Sequence, residues 1–184
     1  GANWPQSSYD PRSGHLYVCA QDRVGVFQAQ EIDDSRPEAG ELYAAGIFGS
    51  TNLPRWGVFA ALDMRTNEIV WRQHWAEPCY SGSATTAGGL TFVGRNDGRL
   101  TALDSSNGSK LWEFQTGAGM NSPVSIFEHG GKQYVLAYSA GNLFAGSVKG
   151  DSVWLFALDG TLGPAALPGA STLVTEAGDG AGDA

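Results

Sequence analysis

Ala61-Leu62-Asp63-Met64-Arg65-Thr66-Asn67-Glu68-Ile69-Val70-Trp71 and Ala102-Leu103-Asp104-Ser105-Ser106-Asn107-Gly108-Ser109-Lys110-Leu111-Trp112 are one unit written twice. Alanine to alanine and tryptophan to tryptophan are both 41 residues (102 − 61 and 112 − 71). A third copy begins at Ala157-Leu158-Asp159-Gly160 and loses the pattern. An aspartate closing an apolar strand can accept hydrogen bonds from the amides ahead of it and start a tight turn. Four residues later the turn needs positive φ, which Gly108 adopts freely and Asn67 better than most residues. The chain returns as a strand ending in tryptophan, whose large surface must be covered, and the alanine leaves room for a neighbour. A unit that buries its face on the next copy is the building principle of a propeller or solenoid.

The units extend to either side. Residues 8–20 read as a hairpin, with Asp10-Pro11-Arg12-Ser13-Gly14 as the turn and His15–Ala20 as the return. The same design recurs at 87–94 and 128–137, and Asn96-Asp97-Gly98 marks a further hairpin turn. Relative to the repeat, the first unit carries a long inserted loop over 21–56 and the third a shorter one over about 140–152. Insertions into regular repeats emerge as loops on one face, often the binding face. The expectation is an all-β chain over 1–160 containing about three four-stranded blades. A propeller closes with roughly four to eight, so further blades, from the same or another chain, are expected as partners. Residues 161–184 turn to Gly, Ala and Asp and read as a flexible tail or linker.

Composition agrees. Charged residues are 16% of the chain, against about 25% for an average soluble domain, while Gly is 26 of 184 and aromatics are plentiful. A net charge of −8 speaks against nucleic acid as a partner. No run of 18 apolar residues exists to span a membrane. Cys19 and Cys79 lie far apart in sequence and either pair or stay free. Signatures of nucleophilic hydrolases, P-loops and zinc proteases are missing, and His15, His74 and His129 lack metal-ligand spacing. Glu31, Asp33 and Asp34 read as a solvated loop face. Asp63, Asp104 and Asp159 read as turn formers. No catalytic residue and no metal ligand is assigned.

The repeated Ala-x-Asp-x-x-(Thr/Asn)-(Gly/Asn)-x-x-x-Trp resembles the tryptophan-docking motif of the eight-bladed pyrroloquinoline quinone (PQQ) dehydrogenases. Asn3-Trp4-Pro5, Pro78-Cys79-Tyr80-Ser81-Gly82, Gly89-Leu90-Thr91-Phe92 and Gly131-Lys132-Gln133-Tyr134-Val135 are similar to segments in the C-terminal third of those enzymes. The resemblance implies a quinoprotein or quinohaemoprotein alcohol dehydrogenase of the periplasm or secreted space. It would oxidise a small alcohol by hydride transfer to PQQ and pass electrons to a cytochrome c. It places Asn3 and Trp4 at the cofactor edge, the Asn142-Leu143-Phe144 loop over the cofactor, and Tyr80 in the substrate pocket. The family's carboxylate base and Ca²⁺ ligands find no counterpart in these residues, so they are expected elsewhere. Haem c would require the chain to continue. The alternative is a non-catalytic propeller of the same type, serving as a protein-binding scaffold with no cofactor.

Overall fold

The computed structural model describes residues 1–29, 39–40 and 46–166. Among them there is no helix, and the strands form three blade-like sheets plus a hairpin. The first sheet is β1 (Ser8–Asp10), β2 (His15–Asp22), β5 (Trp56–Asp63) and β6 (Glu68–Trp75), in that order and antiparallel throughout. The second is β7 (Ser83–Thr85), β8 (Leu90–Gly94), β9 (Arg99–Asp104) and β10 (Lys110–Gln115). The third holds three strands, β11 (Ser125–His129), β12 (Lys132–Ser139) and β13 (Ser152–Phe156). Two blades are therefore complete and the third lacks its outer strand among the described residues. The third copy of the repeat has Ala157, Asp159 and Gly160 but no tryptophan after them.

The repeat works through a bulge. Ala61 pairs with Trp71 while Leu62 pairs with Ile69, leaving Val70 as the extra residue. Ala102 pairs with Trp112 while Leu103 pairs with Lys110, leaving Leu111 extra. Directly opposed residues point to the same sheet face, so the small alanine lies beside the indole it makes room for. The turns adopt the expected backbone, with φ of 61° at Asn67 and 75° at Gly108. Asp63 Oδ1 accepts from the Arg65 amide at 2.8 Å and Asp104 Oδ1 from the Ser106 amide at 2.8 Å. Asp159 departs from the pattern. It pairs with the Lys132 ammonium, and the Gly160 amide closes the turn onto Ala157.

The core lies between sheets. Tyr17, Cys19, Phe59, Ala61, Trp71 and Trp75 from the first meet Val93 and Leu103 from the second. Phe92, Leu100 and Ala102 from the second meet Val135 and Ala137 from the third, with Trp154 and Phe156 packed alongside. Trp71 is 9% exposed. Its Nε1 donates to the Ser105 carbonyl of the next blade at 3.0 Å. A Cβ on Gly108 would stand 2.5 Å from its ring, so only glycine admits this contact. Trp112 docks on Phe156 with ring centroids 5.4 Å apart and remains 39% exposed. The outward faces at both ends are apolar, with Val153 and Leu155 exposed at one and Tyr9 and Val70 at the other.

The long insertion carries strands of its own. The 21–56 stretch is not all loop: β2 runs on to Asp22, β5 begins at Trp56, and between them β3 (Gly25–Ala29) and β4 (Gly46–Ser50) form a two-stranded hairpin. Phe27 and Phe48 pair across it at 5.0 Å, a cross-strand aromatic contact that suits a strand pair. Glu31, Asp33 and Asp34 lie outside the described residues. At the other end, residues 161–166 run without strand and the Ala165 amide donates to the Gln115 carbonyl at 2.9 Å. The rest of the expected tail, 167–184, lies outside the described residues. Cys19 and Cys79 form a disulfide, tying β2 to the segment that leads into the second blade.

Candidate functional site: a cleft at the blade mouths

Strand alternation sorts the connections onto two faces. The turns at 11–14, 64–67, 86–89 and 105–109 lie on one. The segment 1–7, the hairpin β3–β4 and the connections at 76–82, 95–98, 116–124 and 140–151 lie on the other. On this second face a cleft of about 860 Å³ opens between all three blades. Asn3, Tyr80, Leu143 and Phe144 line it, so four of the residues singled out from sequence come together although they are scattered over 1–144. Gln21, Arg23, Arg55, Glu77 and Asn96 join them.

Each wall has a structural cause. The Gly1 ammonium donates to the Gln21 carbonyl, the Gln21 amide donates to the Gly1 carbonyl at 3.0 Å, and Ala2 bridges Ala20. These bonds lay the N-terminal segment along β2 and bring Asn3 to the cleft. Trp4 Nε1 donates to Tyr80 Oη at 2.8 Å, and the rings meet edge to face at 5.3 Å. Trp4 is thus the outer support of Tyr80; it is 53% exposed and does not itself line the cleft. Tyr80 is buried behind it, fixed from the other side by the adjacent disulfide at Cys79. Next to them Arg95 stands 4.2 Å over the Trp75 ring and pairs with Glu77 at 3.1 Å and Asp97 at 3.6 Å.

The third wall is the 142–147 loop. Asn142 does not face the cleft. Its Oδ1 accepts from the Phe144 and Ala145 amides at 2.9 and 3.2 Å, so its side chain makes the turn that lifts its neighbours. Leu143 and Phe144 at that turn are 76% and 87% exposed, an apolar rim over the cleft. Sequence reading missed Arg23, Arg55, Glu77 and the amide pair Asn96 and Asn121. The available signal was the glycine-rich Thr116-Gly117-Ala118-Gly119-Met120-Asn121, where close backbone approach was to be expected.

Comparison with known proteins bears on the family and the fold. A family profile of PQQ-type propellers, described as outer membrane protein assembly factor BamB, matches residues 38–175. The chain is 33% identical over 172 residues to 1-butanol dehydrogenase (quinone) of Thauera butanivorans. It is 30% identical over 172 residues to a quinoprotein ethanol dehydrogenase of Pseudomonas aeruginosa. The chain belongs to the PQQ-type propeller family. In both alignments 86% of the chain is matched but only 27% of the relative, so this PQQ-propeller segment spans about a quarter of the relatives' length. Its fold superposes on quinohemoprotein alcohol dehydrogenase from Comamonas testosteroni with a TM-score of 0.71 at 25% identity, over 91% of the chain and 27% of that structure. The ADHIIG enzyme of Pseudomonas putida shares the fold at a TM-score of 0.78 and 24% identity, over 91% of the chain and 28% of that structure.

Proposed function

We propose that this chain is the C-terminal part of the propeller of a PQQ-dependent alcohol dehydrogenase, and that the cleft is its share of the cofactor and substrate mouth. The observation that carries this reading is the convergence of Asn3, Tyr80, Leu143 and Phe144 from three blades on one cleft. The donor set suits a flat quinone with several carboxylates. Arg23 and Arg55 offer cationic forks for carboxylate, Asn3 an amide donor, and the Leu143–Phe144 rim an apolar cover. When bound, PQQ supplies a two-electron hydride acceptor. In this reading Asn3 and the arginines bind and orient, Tyr80 shapes the pocket beside the alcohol, and the rim excludes water.

Among the described residues no group of three His, Cys, Asp or Glu side chains is placed to hold a metal ion. In this reading the Ca²⁺ ligands and the carboxylate base belong to the remaining blades, which would also cover the apolar outward sheets. Onward electron transfer to a cytochrome c, and a haem c domain only if the chain continues, complete it. The Cys19–Cys79 disulfide supports a periplasmic or secreted location, because such bonds persist in oxidising compartments. The scaffold alternative draws support from the assembly-factor description of the matching profile. The cleft's mixture of arginines, an amide and aromatic walls favours the enzyme.

The test is titration of the complete protein, freed of cofactor, with PQQ in the presence of Ca²⁺. Asn3→Ala is expected to weaken binding by about tenfold, the worth of one hydrogen bond to a charged or strongly polar oxygen. Equal affinities would remove Asn3 from the cofactor site, and no binding by the wild type would leave the scaffold reading standing.

A further inference from the structure

One buried carboxamide holds the cleft-face loops of all three blades. Asn121, in the connection between β10 and β11, is buried and uses both ends of its amide. Its Nδ2 donates to the Tyr80 carbonyl and to Asn96 Oδ1, each at 3.1 Å. Its Oδ1 accepts from Ser147 Oγ at 2.6 Å, and Ser147 Oγ accepts in turn from the Asn142 amide at 2.7 Å. Asn96 Nδ2 completes the circuit by donating to the Ala145 carbonyl at 3.0 Å. The backbone is shaped for this contact: a Cβ on Gly119 would lie 2.4 Å from Ser147 Oγ and 2.7 Å from Asn121 Oδ1. Tyr80 forms one wall of the cleft and Leu143–Phe144 its rim, so Asn121 bonds both sides.

We propose that Asn121 is a positioning residue that sets the spacing between the Tyr80 wall and the Leu143–Phe144 rim. Only an amide of this length has two donors and an acceptor for these partners. An aspartate of the same size keeps the acceptor for Ser147 but cannot donate to Tyr80 or Asn96. Left as it stands, Asn96 Oδ1 would face the new carboxylate oxygen with no proton between them, so Asn96 turns its own amide to serve the carboxylate and releases Ala145, and the rim loses an anchor. The structural effect is independent of the alcohol dehydrogenase reading; the kinetic effect rests on it.

The test compares complete wild-type protein with Asn121→Asp and with Ser147→Ala, which frees the rim while leaving both Asn121 donors in place. Amide hydrogen exchange of residues 142–147 is expected to rise about tenfold in both variants, with β8 and β9 unchanged. With a primary alcohol as substrate, KM is expected to rise several-fold while kcat stays within about twofold, the signature of lost positioning in the ground state. Unchanged exchange at 142–147 in both variants overturns the proposal. So does an equal rise throughout the blades, or a matched fall of kcat and kcat/KM with KM unchanged. A wild type that oxidises no alcohol would sink the enzymatic reading, and the exchange pattern would still decide the role of Asn121.

Discussion

Removing the Trp71 indole tests whether the repeat is the glue between blades. The side chain is almost wholly buried, tilted against Tyr17 and Phe59 at 5.9 and 5.8 Å, and seated on Gly108 of the next blade. Trp71→Ala empties this site, a change that costs about 4 kcal/mol for a buried tryptophan, about 1 kcal/mol of it from the lost Nε1 bond. The Ser105 carbonyl is not stranded, because Tyr17 Oη donates to it as well at 3.1 Å. Trp71→Phe therefore isolates the donor and the second ring, and is expected to cost about 1–2 kcal/mol. A multi-blade protein need not unfold in one step, so the assay is residue-resolved hydrogen exchange of β5, β6 and β9 in the complete protein. Trp71→Ala should raise exchange there by roughly 10³-fold and Trp71→Phe by roughly tenfold. Equal effects for the two, or less than about tenfold for Ala, would refute the claim that tryptophan docking holds the blades together.

Gly108→Ala places a Cβ against the Trp71 ring at a φ of 75°, for an expected loss of about 3 kcal/mol from backbone and overpacking strain. In a Trp71→Ala background the loss should shrink to the backbone part, and a double-mutant cycle measures the difference. Reducing the Cys19–Cys79 bond, which closes a span of 60 residues, or replacing both cysteines by serine, is expected to cost about 4 kcal/mol in the chain-entropy account; a lower thermal midpoint with reductant checks it. Hydrogen bonds from Arg65 hold the Asp63 carboxyl down from the ordinary 3.8 to about 2. A carboxyl depressed in the fold stabilises fully above its unfolded value and loses that contribution as pH falls from about 4 through 2. Carboxyl NMR titration should show the low value in the wild type and a partial return toward the ordinary one in Arg65→Met, which removes the guanidinium and keeps the backbone amide bond.

The blades were legible in the sequence because their signals are local. Asp63 and Asp104 bond amides two residues away, the positive φ falls on Asn67 and Gly108, and the bulge recurs in both copies. Asp159 had the same motif on one side only, and its carboxylate pairs with Lys132 instead of the amides of a turn. The hairpin β3–β4 was hidden because an inserted stretch has no second copy to align with. The turn-forming role of Asn142 was hidden for a related reason: an asparagine at a turn and one facing a ligand look alike until the amides that donate to its Oδ1 are known.

The same contrast separates what each face of the molecule can vary. On the turn face the aspartates are satisfied within their own turn, as in Asp10 with Arg12 and Asp104 with Ser106, while the Ser105 and Gly108 carbonyls accept from the preceding blade. On the cleft face the bonds run between blades, from Trp4 to Tyr80, Asn121 to Tyr80, Ser147 to Asn121 and Asn96 to Ala145. A substitution at one of these turn aspartates therefore acts mainly on its own blade. A substitution in the network moves two walls of the cleft relative to each other while the sheets beneath stay docked through Trp71 and Trp112. Cleft geometry can thus diverge with little cost to the propeller, and residues such as Asn121 are where differences in substrate preference between such propellers are to be sought.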